Sequence, residues 1–439
     1  MKDDVKKAIS FLKSCGMDPE QADIDTVAQS FLHEMERGLE GKPSSLMMLP
    51  TYLAAEGDIP KGETVIALDA GGTNFRVAAV SIDSKGIPVI KNFKKFPMPG
   101  TEEGKSVSRD DFFSTIAGHM SHVADVSSKI GFCFSYPTEM LPSGDGRLIT
   151  FTKEVKAPEV EGALIGKNLL DALKKNGIRN EKKIVILNDS VATLLAGETG
   201  HSGQHFESYI GFILGTGMNT CYVEKTANIT KIEQDPKLPA HQIINIESGK
   251  FAAFTGGSVD QEFAASTAKP EESLFEKKIS GAYQGSLALA VLKKAADDNL
   301  FSSGTAASIR EIKTLETITM DGFLHSPYNP DNLLVKICLE EDKTAMYTIL
   351  HRTIERAAKL AAASLSATVL KTGKGNNPLQ PVCIVADGTT YFKTKGLQPG
   401  IQYYVKDYLE KRHGIYTEFV SGEDAPLVGA AVAALLHKD

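Results

Sequence analysis

The sequence contains the same pattern twice: a strand, a glycine turn and a second strand. The first copy reads TVIALD, a turn at Gly71, and FRVAAVSI, and the second reads SYIGFIL, a turn at Gly215, and MNTCYVE. Each copy is typical of a hairpin, because short apolar runs flank a glycine-containing turn. The two turns are 144 residues apart in the chain. A pattern repeated in this way predicts a duplicated structural unit.

Helices and strands alternate around these hairpins. A buried strand is predicted from Ile184 to Leu187, and a helix, VATLLAGE, follows it closely. The later chain is mainly helical, with an amphipathic stretch over 347–370, a strand in PVCIVADG and an apolar final helix over 426–437. Strands that alternate with helices predict an α/β protein, here in two halves.

Two helices and an irregular segment are predicted before the first hairpin. Helical spacing of apolar residues over 5–12 indicates the first helix, and the second is predicted to start at Asp18, with Pro19 at its first helical position. The segment MMLPTY over 47–52 has no regular period but is too apolar for a loose linker. We expect this segment to be irregular and packed against the body of the protein.

Length and charge restrict the possible classes of function. The chain has 439 residues, and 48 basic against 55 acidic side chains give a formal net charge of −7. A negative net charge argues against nucleic acid and anionic membranes as partners. At about 100–200 residues per domain, the length predicts two or three domains with a cleft between them.

Cysteine usage and the absence of long apolar segments predict the cellular compartment. The five cysteines lie far apart, without a Cys-x-x-Cys pair or a zinc-type cluster, so we expect them to be buried and reduced. The amino-terminal residues contain no apolar signal segment, and the longest apolar run, over 427–436, is too short for a membrane span. The sequence therefore predicts a soluble, cytoplasmic protein.

The glycine turns are candidate phosphate sites, because the chain has neither a Walker A sequence nor Gly-x-Gly-x-x-Gly after a strand. In Asp69-Ala70-Gly71-Gly72-Thr73-Asn74, the glycines let an anion approach the backbone, and the last two residues add donors. An ordinary hairpin turn explains the glycines, but not Arg76 or the second turn, Gly215-Thr216-Gly217. Two such turns facing each other would hold a triphosphate between two domains.

Three acidic residues are candidates for the chemistry. Asp189 follows a buried strand at its carboxyl end, where open α/β sheets bind ligands, but it is equally well explained as the cap of the next helix. Glu247 and Glu276 lie beside short apolar runs, and charged residues in such places are usually solvated surface groups. The residues alone leave these alternatives open.

Several motifs together resemble those of hexokinases in order and spacing. The resemblance runs from MLPTY to the carboxyl terminus and rests on IALDAGGTNFRVAAV, FCFSYPTE, GRLITFTKEVKAPEVEG, ILNDSVATLLAG, GFILGTGMNTCY, INIESGKF and VADGTTY. It implies an actin-like ATPase fold of the ribonuclease H-like class, with a ligand cleft between a small and a large domain. We expect amino-terminal helices over 1–58 packed on the large domain, a small domain over 59–187 with the final helix over 425–439, and a large domain over 188–424.

The resemblance also implies roles for individual residues in transferring the γ-phosphoryl group of ATP to the 6-hydroxyl of a hexose, with glucose the leading candidate. Asp189 would be the general base, and Lys153 would assist catalysis. The groups that hold the sugar would be Ser135, Thr152, Lys153, Asn188, Asp189, Asn219, Glu247 and Glu276. The nucleotide phosphates would contact Asp69, Gly71, Gly72, Thr73, Asn74, Arg76, Gly215, Thr216 and Gly217, and the adenosine would lie near Asp387, Gly388 and Thr389. Mg²⁺ would arrive on ATP without a direct protein ligand.

The sequence departs from the hexokinase pattern at four places. Phe151 replaces a frequent tryptophan, Ser273 a frequent glutamine and Ala282 a frequent lysine. The glycine- and serine-rich turn near the nucleotide is replaced by residues 422–426, GEDAP. This last change predicts weakened discrimination of the nucleotide base, unless Asp424 and Pro426 simply start the last helix.

Two other functions are weighed against the kinase. A sugar-sensing protein of the same fold, with little catalysis, would be free to lose its base, yet Asp189 and both glycine turns are present. A chaperone or filament ATPase of the same superfamily would lack the hexose motifs, yet FTKEV and both glutamates are present. The sequence therefore favours the kinase and leaves its preferred hexose and oligomeric state open.

Overall fold

The computed structural model describes residues 2–54, 57–102, 104–151, 155–178, 180–200, 203–422 and 424–437. Within these ranges the strands are β1 (Leu49–Ala54), β2 (Thr64–Ala70), β3 (Asn74–Ile82), β4 (Pro88–Pro97), β5 (Lys129–Phe134), β6 (Thr138–Met140), β7 (Gly146–Leu148), β8 (Lys183–Leu187), β9 (Ser208–Leu214), β10 (Met218–Lys225), β11 (His241–Asn245), β12 (Val382–Asp387) and β13 (Thr417–Ser421).

The α-helices of the same ranges are α1 (Lys2–Ser14), α2 (Ile24–Leu39), α3 (Arg109–His119), α4 (Ile165–Lys175), α5 (Asp189–Ala196), α6 (Ser258–Ser266), α7 (Glu276–Ile279), α8 (Gly281–Asp297), α9 (Ser303–Glu311), α10 (Thr317–His325), α11 (Leu333–Ile337), α12 (Lys343–Thr372), α13 (Thr389–Lys393), α14 (Leu397–Tyr408) and α15 (Ala425–Leu436). Short 3₁₀ turns lie at Pro19–Gln21, Pro158–Val160, Thr226–Asn228, Ser248–Lys250 and Glu340–Asp342, and a π-helical turn follows α14 at Leu409–His413.

Two mixed sheets carry the fold, and they repeat one topology. The first has the strand order β4-β3-β2-β5-β8, and the second has the order β1-β11-β10-β9-β12-β13. In the first sheet β2 pairs antiparallel with β3 and parallel with β5, and in the second sheet β9 pairs antiparallel with β10 and parallel with β12. The predicted duplication is therefore confirmed, with β1 as an addition to the edge of the second sheet.

Helices cover both faces of the first sheet, which explains why β2 reads as an almost uninterrupted apolar run. α3 and α4 pack on one face, and α15 packs across β2, β3, β5 and β8 on the other. The contact with α15 is close: a Cβ atom at Gly131 would lie 1.8 Å from the Ala430 carbonyl oxygen, and one at Gly429 would lie 1.8 Å from that of Ala192. The final helix α15 is thus closely packed between the first sheet and α5.

The second sheet supports a larger helical layer. Its core contains α1, α2, α8 and the 30-residue helix α12, which extends the predicted amphipathic stretch at both ends. An ion pair between Asp260 of α6 and Arg356 of α12 lies inside this layer, and each side chain is about 1% exposed. A buried charge pair of this kind is costly to break, because either partner alone would remain charged and desolvated.

Two predictions for the amino-terminal region are wrong. The helix predicted to start at Asp18 is divided: Asp18 caps the 3₁₀ turn Pro19–Gln21, and α2 starts only at Ile24, with Asp23 as its N-cap. The segment predicted to be irregular ends in β1, which pairs with β11. Its periodicity is hidden because Met48 and Tyr52 have left-handed backbone angles and the pairing register shifts along the strand.

The predicted burial of the cysteines is confirmed. All five cysteines are free and buried. None of the helices in the described ranges is long and apolar enough to cross a membrane.

Candidate functional site

Most of the predicted site residues that the structure describes lie at or near strand ends of the two sheets. The β2–β3 turn and the end of β8 belong to the first sheet, and the β9–β10 turn and the end of β12 belong to the second. Asn188, just after β8, is joined to Asn219 of β10 by a 3.4 Å hydrogen bond from Asn219 Nδ2. The carboxyl ends of parallel strands are the usual ligand position in α/β sheets, so this junction is the candidate active site.

The first glycine turn is a tight hairpin with an exposed donor. The Gly71 N–H donates to the Asn74 carbonyl oxygen at 3.0 Å, and Asn74 Nδ2 donates to Thr73 Oγ1 at 2.9 Å. Thr73 is exposed. The hairpin-turn interpretation and the anion-site interpretation are therefore compatible, because the turn is closed by its own backbone while a threonine faces solvent.

Tyr136 was missed in the sequence, although it contacts the first glycine turn directly. Its hydroxyl donates to the Gly71 carbonyl oxygen at 2.6 Å, and its residue is 1% exposed. Burial raises the pKa of the Tyr136 phenol, so the donor stays protonated. The ring also packs against Phe134 and Phe151, with centroids 4.9 and 5.0 Å away. Tyr136 thus connects the turn to the segment that precedes Thr152 and Lys153.

We expect Tyr136→Phe to raise the KM for ATP by about two- to twelvefold, which corresponds to the loss of one hydrogen bond of about 0.5–1.5 kcal/mol. The affinity for glucose should change little, because the bond is to the turn. Tyr222→Phe is the matched control, since its buried hydroxyl donates to Glu224 at 2.7 Å, far along β10. Equal KM values for ATP in the wild type and Tyr136→Phe would contradict a positioning role.

Arg76 is held by two carboxylates. Its Nε lies 2.6 Å from Asp69 Oδ2, and its NH1 lies 3.3 Å from Asp424 Oδ1. Burial alone would lower the pKa of the Arg76 guanidinium, but the two carboxylates outweigh this and raise it. The sequence prediction that Asp424 caps the last helix is only partly right: it occupies the N-cap position of α15, yet its side chain makes no capping bond.

The second glycine turn contacts the segment predicted to bind adenosine. Thr390 Oγ1 donates to the Gly215 carbonyl oxygen at 2.8 Å, and the Ala282 N–H donates to the Thr216 carbonyl oxygen at 3.0 Å. Gly388 has φ of 120°, and a Cβ atom there would lie 2.3 Å from the Leu214 carbonyl oxygen. The structure therefore brings the segment 387–389 and the turn 215–217 together, with Thr216 exposed.

The neighbouring residue Asn188 distinguishes between the two explanations of Asp189, as a helix cap and as a ligand-site residue. Asn188 is the N-cap of α5 and accepts a hydrogen bond from the Ser190 N–H at 3.0 Å. Asp189 is the first helical residue, and its Oδ1 also accepts from the Ser190 N–H, at 2.8 Å. Capping of the helix thus does not require Asp189.

A chain of polar side chains crosses from the first sheet to Glu247. Asn219 Nδ2 donates to Asn245 Oδ1 at 2.7 Å, and Asn245 Nδ2 donates to Glu247 Oε1 at 2.9 Å. Asn245 was not predicted, although its position at the end of β11, immediately before IES, is the same kind of signal that identified Asp189. Glu247 adopts a left-handed backbone with φ of 60°, which a glutamate rarely does. Such strain is characteristic of functional positions.

Glu276 is a packed carboxylate, not a solvated surface charge. Its Oε2 accepts a hydrogen bond from the Met218 N–H at 2.9 Å, and Cβ atoms at Gly217 and Gly249 would lie 2.8 and 3.0 Å from the same oxygen. Burial and the nearby Glu247 raise the pKa of this carboxyl. Glu247 is also half-buried, so the surface interpretation is wrong for both glutamates.

The remaining predicted sugar contacts are described only in part. Ser135 follows β5, and its N–H donates to the Ala70 carbonyl oxygen at 3.1 Å, beside the first glycine turn. Thr152 and Lys153 lie outside the described residues. Among the residues that are described, no three histidine, cysteine or carboxylate side chains form a cluster suited to a metal ion.

Comparison with known sequences identifies the family. Two sequence profiles described as hexokinase match residues 9–199 and 209–436, and together they cover most of the chain. The chain belongs to the hexokinase family. Hexokinase-1 of Schizosaccharomyces pombe is 29% identical over 438 residues, which cover 94% of this chain and 87% of that protein.

Some hexokinase relatives are about twice as long as this chain. Horse hexokinase-2 is 28% identical over 432 residues, which cover 92% of this chain but 46% of the relative. The chain thus spans about half the length of such curated relatives. The structure of a Schistosoma mansoni hexokinase complexed with glucose superimposes with a TM-score of 0.77 at 22% identity and covers 99% of both chains. This agreement confirms the predicted hexokinase fold.

Proposed function

We propose that this chain is an ATP-dependent hexokinase that transfers the γ-phosphoryl group of ATP to the 6-hydroxyl of glucose or a related hexose. The observation that carries the proposal is the polar chain that runs from Asn188, beside Asp189, through Asn219 and Asn245 to Glu247. Family membership and the names of the relatives support the same activity.

The polar chain suits a sugar because a hexose presents a ring of hydroxyls, each both donor and acceptor. Amides offer both functions, and carboxylates accept strongly, so Asn219, Glu247 and Glu276 can bind several hydroxyls. An analogue that lacks one hydroxyl would leave a buried group unpaired, which is the strongest form of discrimination. Ser135, Thr152, Lys153 and Asn188 complete the proposed sugar site.

Asp189 is the proposed general base. Its carboxylate lies at the first position of α5, after the strand that ends at Leu187, and Asn188 already caps that helix. A hydroxyl bound to Asn188 and Asn219 would therefore meet an acceptor for its proton while its oxygen attacks the γ-phosphorus. Lys153 is proposed to assist at the transferred group.

The donor phosphates are proposed to lie between the two glycine turns. Thr73 and Thr216 are exposed at these turns, and Arg76 adds a guanidinium beside the first, so the donor set fits a polyphosphate. The adenosine is proposed to lie near 387–389, against the second turn. Mg²⁺ bound to ATP would supply charge neutralisation of the phosphates when present. Relaxed selectivity for the nucleotide base, inferred from residues 422–426, stays a prediction.

The proposed domains are 59–187 together with 425–439, 188–424, and an amino-terminal part over 1–58 that packs on the second of these. Contacts of α1 and α2 with α12 support the last assignment. Because the proposed sugar contacts come from both domains, binding should draw the domains together.

We expect glucose alone to decrease the radius of gyration in small-angle X-ray scattering. The physical reason is that Ser135 and Glu276 belong to different proposed domains, so a hexose that contacts both should draw the domains together. The same titration with Glu276→Gln should require more glucose to reach the same change. Identical scattering curves with and without saturating glucose would contradict domain closure.

A coupled assay of ADP formation with glucose, mannose, fructose and N-acetylglucosamine tests the proposed function. The kinase predicts ADP release that depends on at least one of these hexoses. A sugar sensor of the same fold, the alternative, predicts hexose binding by calorimetry with ADP release at the background rate.

A further inference from the structure

The carboxylate of Asp424 contacts the guanidinium beside the first glycine turn, from a position 348 residues away in the sequence. Arg76 already has a partner in Asp69, whose side chain is 5% exposed and lies 2.6 Å from Arg76 Nε. Asp424 is the outer partner, 48% exposed and 3.3 Å from NH1. Arg76 therefore has one carboxylate that fixes it and a second that shares its solvent-facing side.

The backbone at Asp424 indicates that this second contact is not incidental. Asp424 has φ of 51° and ψ of 30°, a left-handed conformation that costs free energy for a residue with a side chain. Its side chain also makes none of the capping bonds that aspartate usually forms at a helix start. Asp424 thus has neither a favoured backbone conformation nor a capping bond, and its carboxylate contacts Arg76 instead.

The charges of this network oppose the binding of a bare anion. Arg76 carries one positive charge, and Asp69 and Asp424 carry two negative charges between them, which leaves a net charge of −1 for these three side chains. Like charges repel in proportion to the product of their charges. Asp424 should therefore repel a metal-free polyphosphate more strongly than a nucleotide whose charge is partly neutralised by a metal ion.

We propose that Asp424 is a specificity-determining residue of the donor site that disfavours polyphosphates and nucleotides carrying no metal ion. The inference rests on the proposed function, since it assumes that donor phosphates bind beside Gly71. Asp424 shares Arg76 with the incoming phosphate and selects against the ligand with the higher negative charge. The role belongs to the carboxylate charge and not to the shape of the side chain.

Asp424→Asn is the sharpest test, because asparagine keeps the shape and is equally tolerant of a left-handed backbone. The full chain is titrated by calorimetry with sodium tripolyphosphate in EDTA and, separately, with MgATP. We expect the variant to bind tripolyphosphate about two- to fivefold more tightly than the wild type, in line with the strength of exposed charge pairs. The gain for MgATP should be smaller, and both gains should shrink at high salt.

Two further variants test whether the effect depends on the negative charge at position 424. Asp424→Glu should bind tripolyphosphate like the wild type, because glutamate keeps the negative charge. Asp297→Asn removes the carboxylate of a surface pair with Arg310, at 2.9 Å and 62% exposed, and should leave the affinity unchanged.

The proposal is overturned if Asp424→Asn binds tripolyphosphate no more tightly than the wild type, or shows no binding at all. It is also overturned if the gain is as large for MgATP as for tripolyphosphate. Thermal unfolding checks that each variant is folded. Hexose-dependent ADP formation by the wild type is measured independently, so failure of this inference is distinguishable from failure of the proposed function.

Discussion

Asp189→Asn is expected to lose about 10²–10⁴-fold in kcat, or about 3–5 kcal/mol of transition-state stabilisation, while the affinity for glucose stays nearly unchanged. An amide cannot accept the proton of the sugar hydroxyl. Asparagine keeps the size of the side chain, and Asn188 continues to cap α5 at 3.0 Å from the Ser190 N–H. The helix should therefore form normally in the variant, and the loss should be confined to chemistry.

Both quantities are measured on one preparation, kcat by coupled ADP release and the glucose Kd by calorimetry. Asp110→Asn is the control, because Asp110 is in the first turn of α3 and its side chain is 77% exposed. Near-normal turnover of Asp189→Asn would show that Asp189 is a structural residue and not the general base. A large loss of glucose affinity would instead indicate that it binds sugar without acting as a base.

Glu276→Gln is expected to weaken glucose binding by about 1.5–3 kcal/mol, or about 10- to 150-fold. The carboxylate is packed against Gly217 and Gly249, and the Met218 N–H donates to its Oε2. A glutamine must keep its oxygen towards Met218, so it presents an NH₂ group elsewhere and loses a charged acceptor. Glu247→Gln should act in the same direction.

The pH dependence of glucose affinity provides a second readout for Glu276. Its pKa is raised by burial and by Glu247, and the carboxylate predominates above that pKa. Affinity should therefore fall as the pH decreases through this raised pKa, at a higher pH than for an ordinary glutamate. Glu276→Gln should lose this dependence.

Glu272→Gln is the matched control for Glu276→Gln, since Glu272 lies in the same segment but is 64% exposed and paired with Lys269. Glucose affinity equal to that of the wild type in both Glu276→Gln and Glu247→Gln would show that these glutamates do not contact sugar.

The fold could be predicted where local patterns decide it. The hairpins around Gly71 and Gly215 formed as expected because apolar runs and glycine turns specify them without help from distant residues. β1 could not be predicted, since its pairing with β11 depends on a partner almost 200 residues away and overrides an irregular local pattern. The division of the second helix reflects a competition between two good caps, Asp18 and Asp23.

Site residues that belong to sequence motifs could be predicted. Site residues that are defined only by tertiary contacts could not. Motif order identified Asn219, Glu247 and Glu276, which the structure brings to one junction of the two sheets. Tyr136 and Asp424 were not assigned to these contacts, because nothing in their local sequence reveals a bond to Gly71 or to Arg76. Local pattern also could not separate Asn188 from Asp189, since either suits a helix start.

Phosphoryl transfer from ATP to a hexose hydroxyl can be followed directly by ³¹P NMR of the wild-type chain with equimolar glucose and MgATP. We expect the γ-phosphate resonance to disappear while ADP and one phosphomonoester on the 6-hydroxyl of glucose accumulate in equal amounts. Inorganic phosphate as the main product would contradict transfer to sugar. An unchanged ATP spectrum with glucose, mannose, fructose and N-acetylglucosamine alike would contradict the kinase altogether.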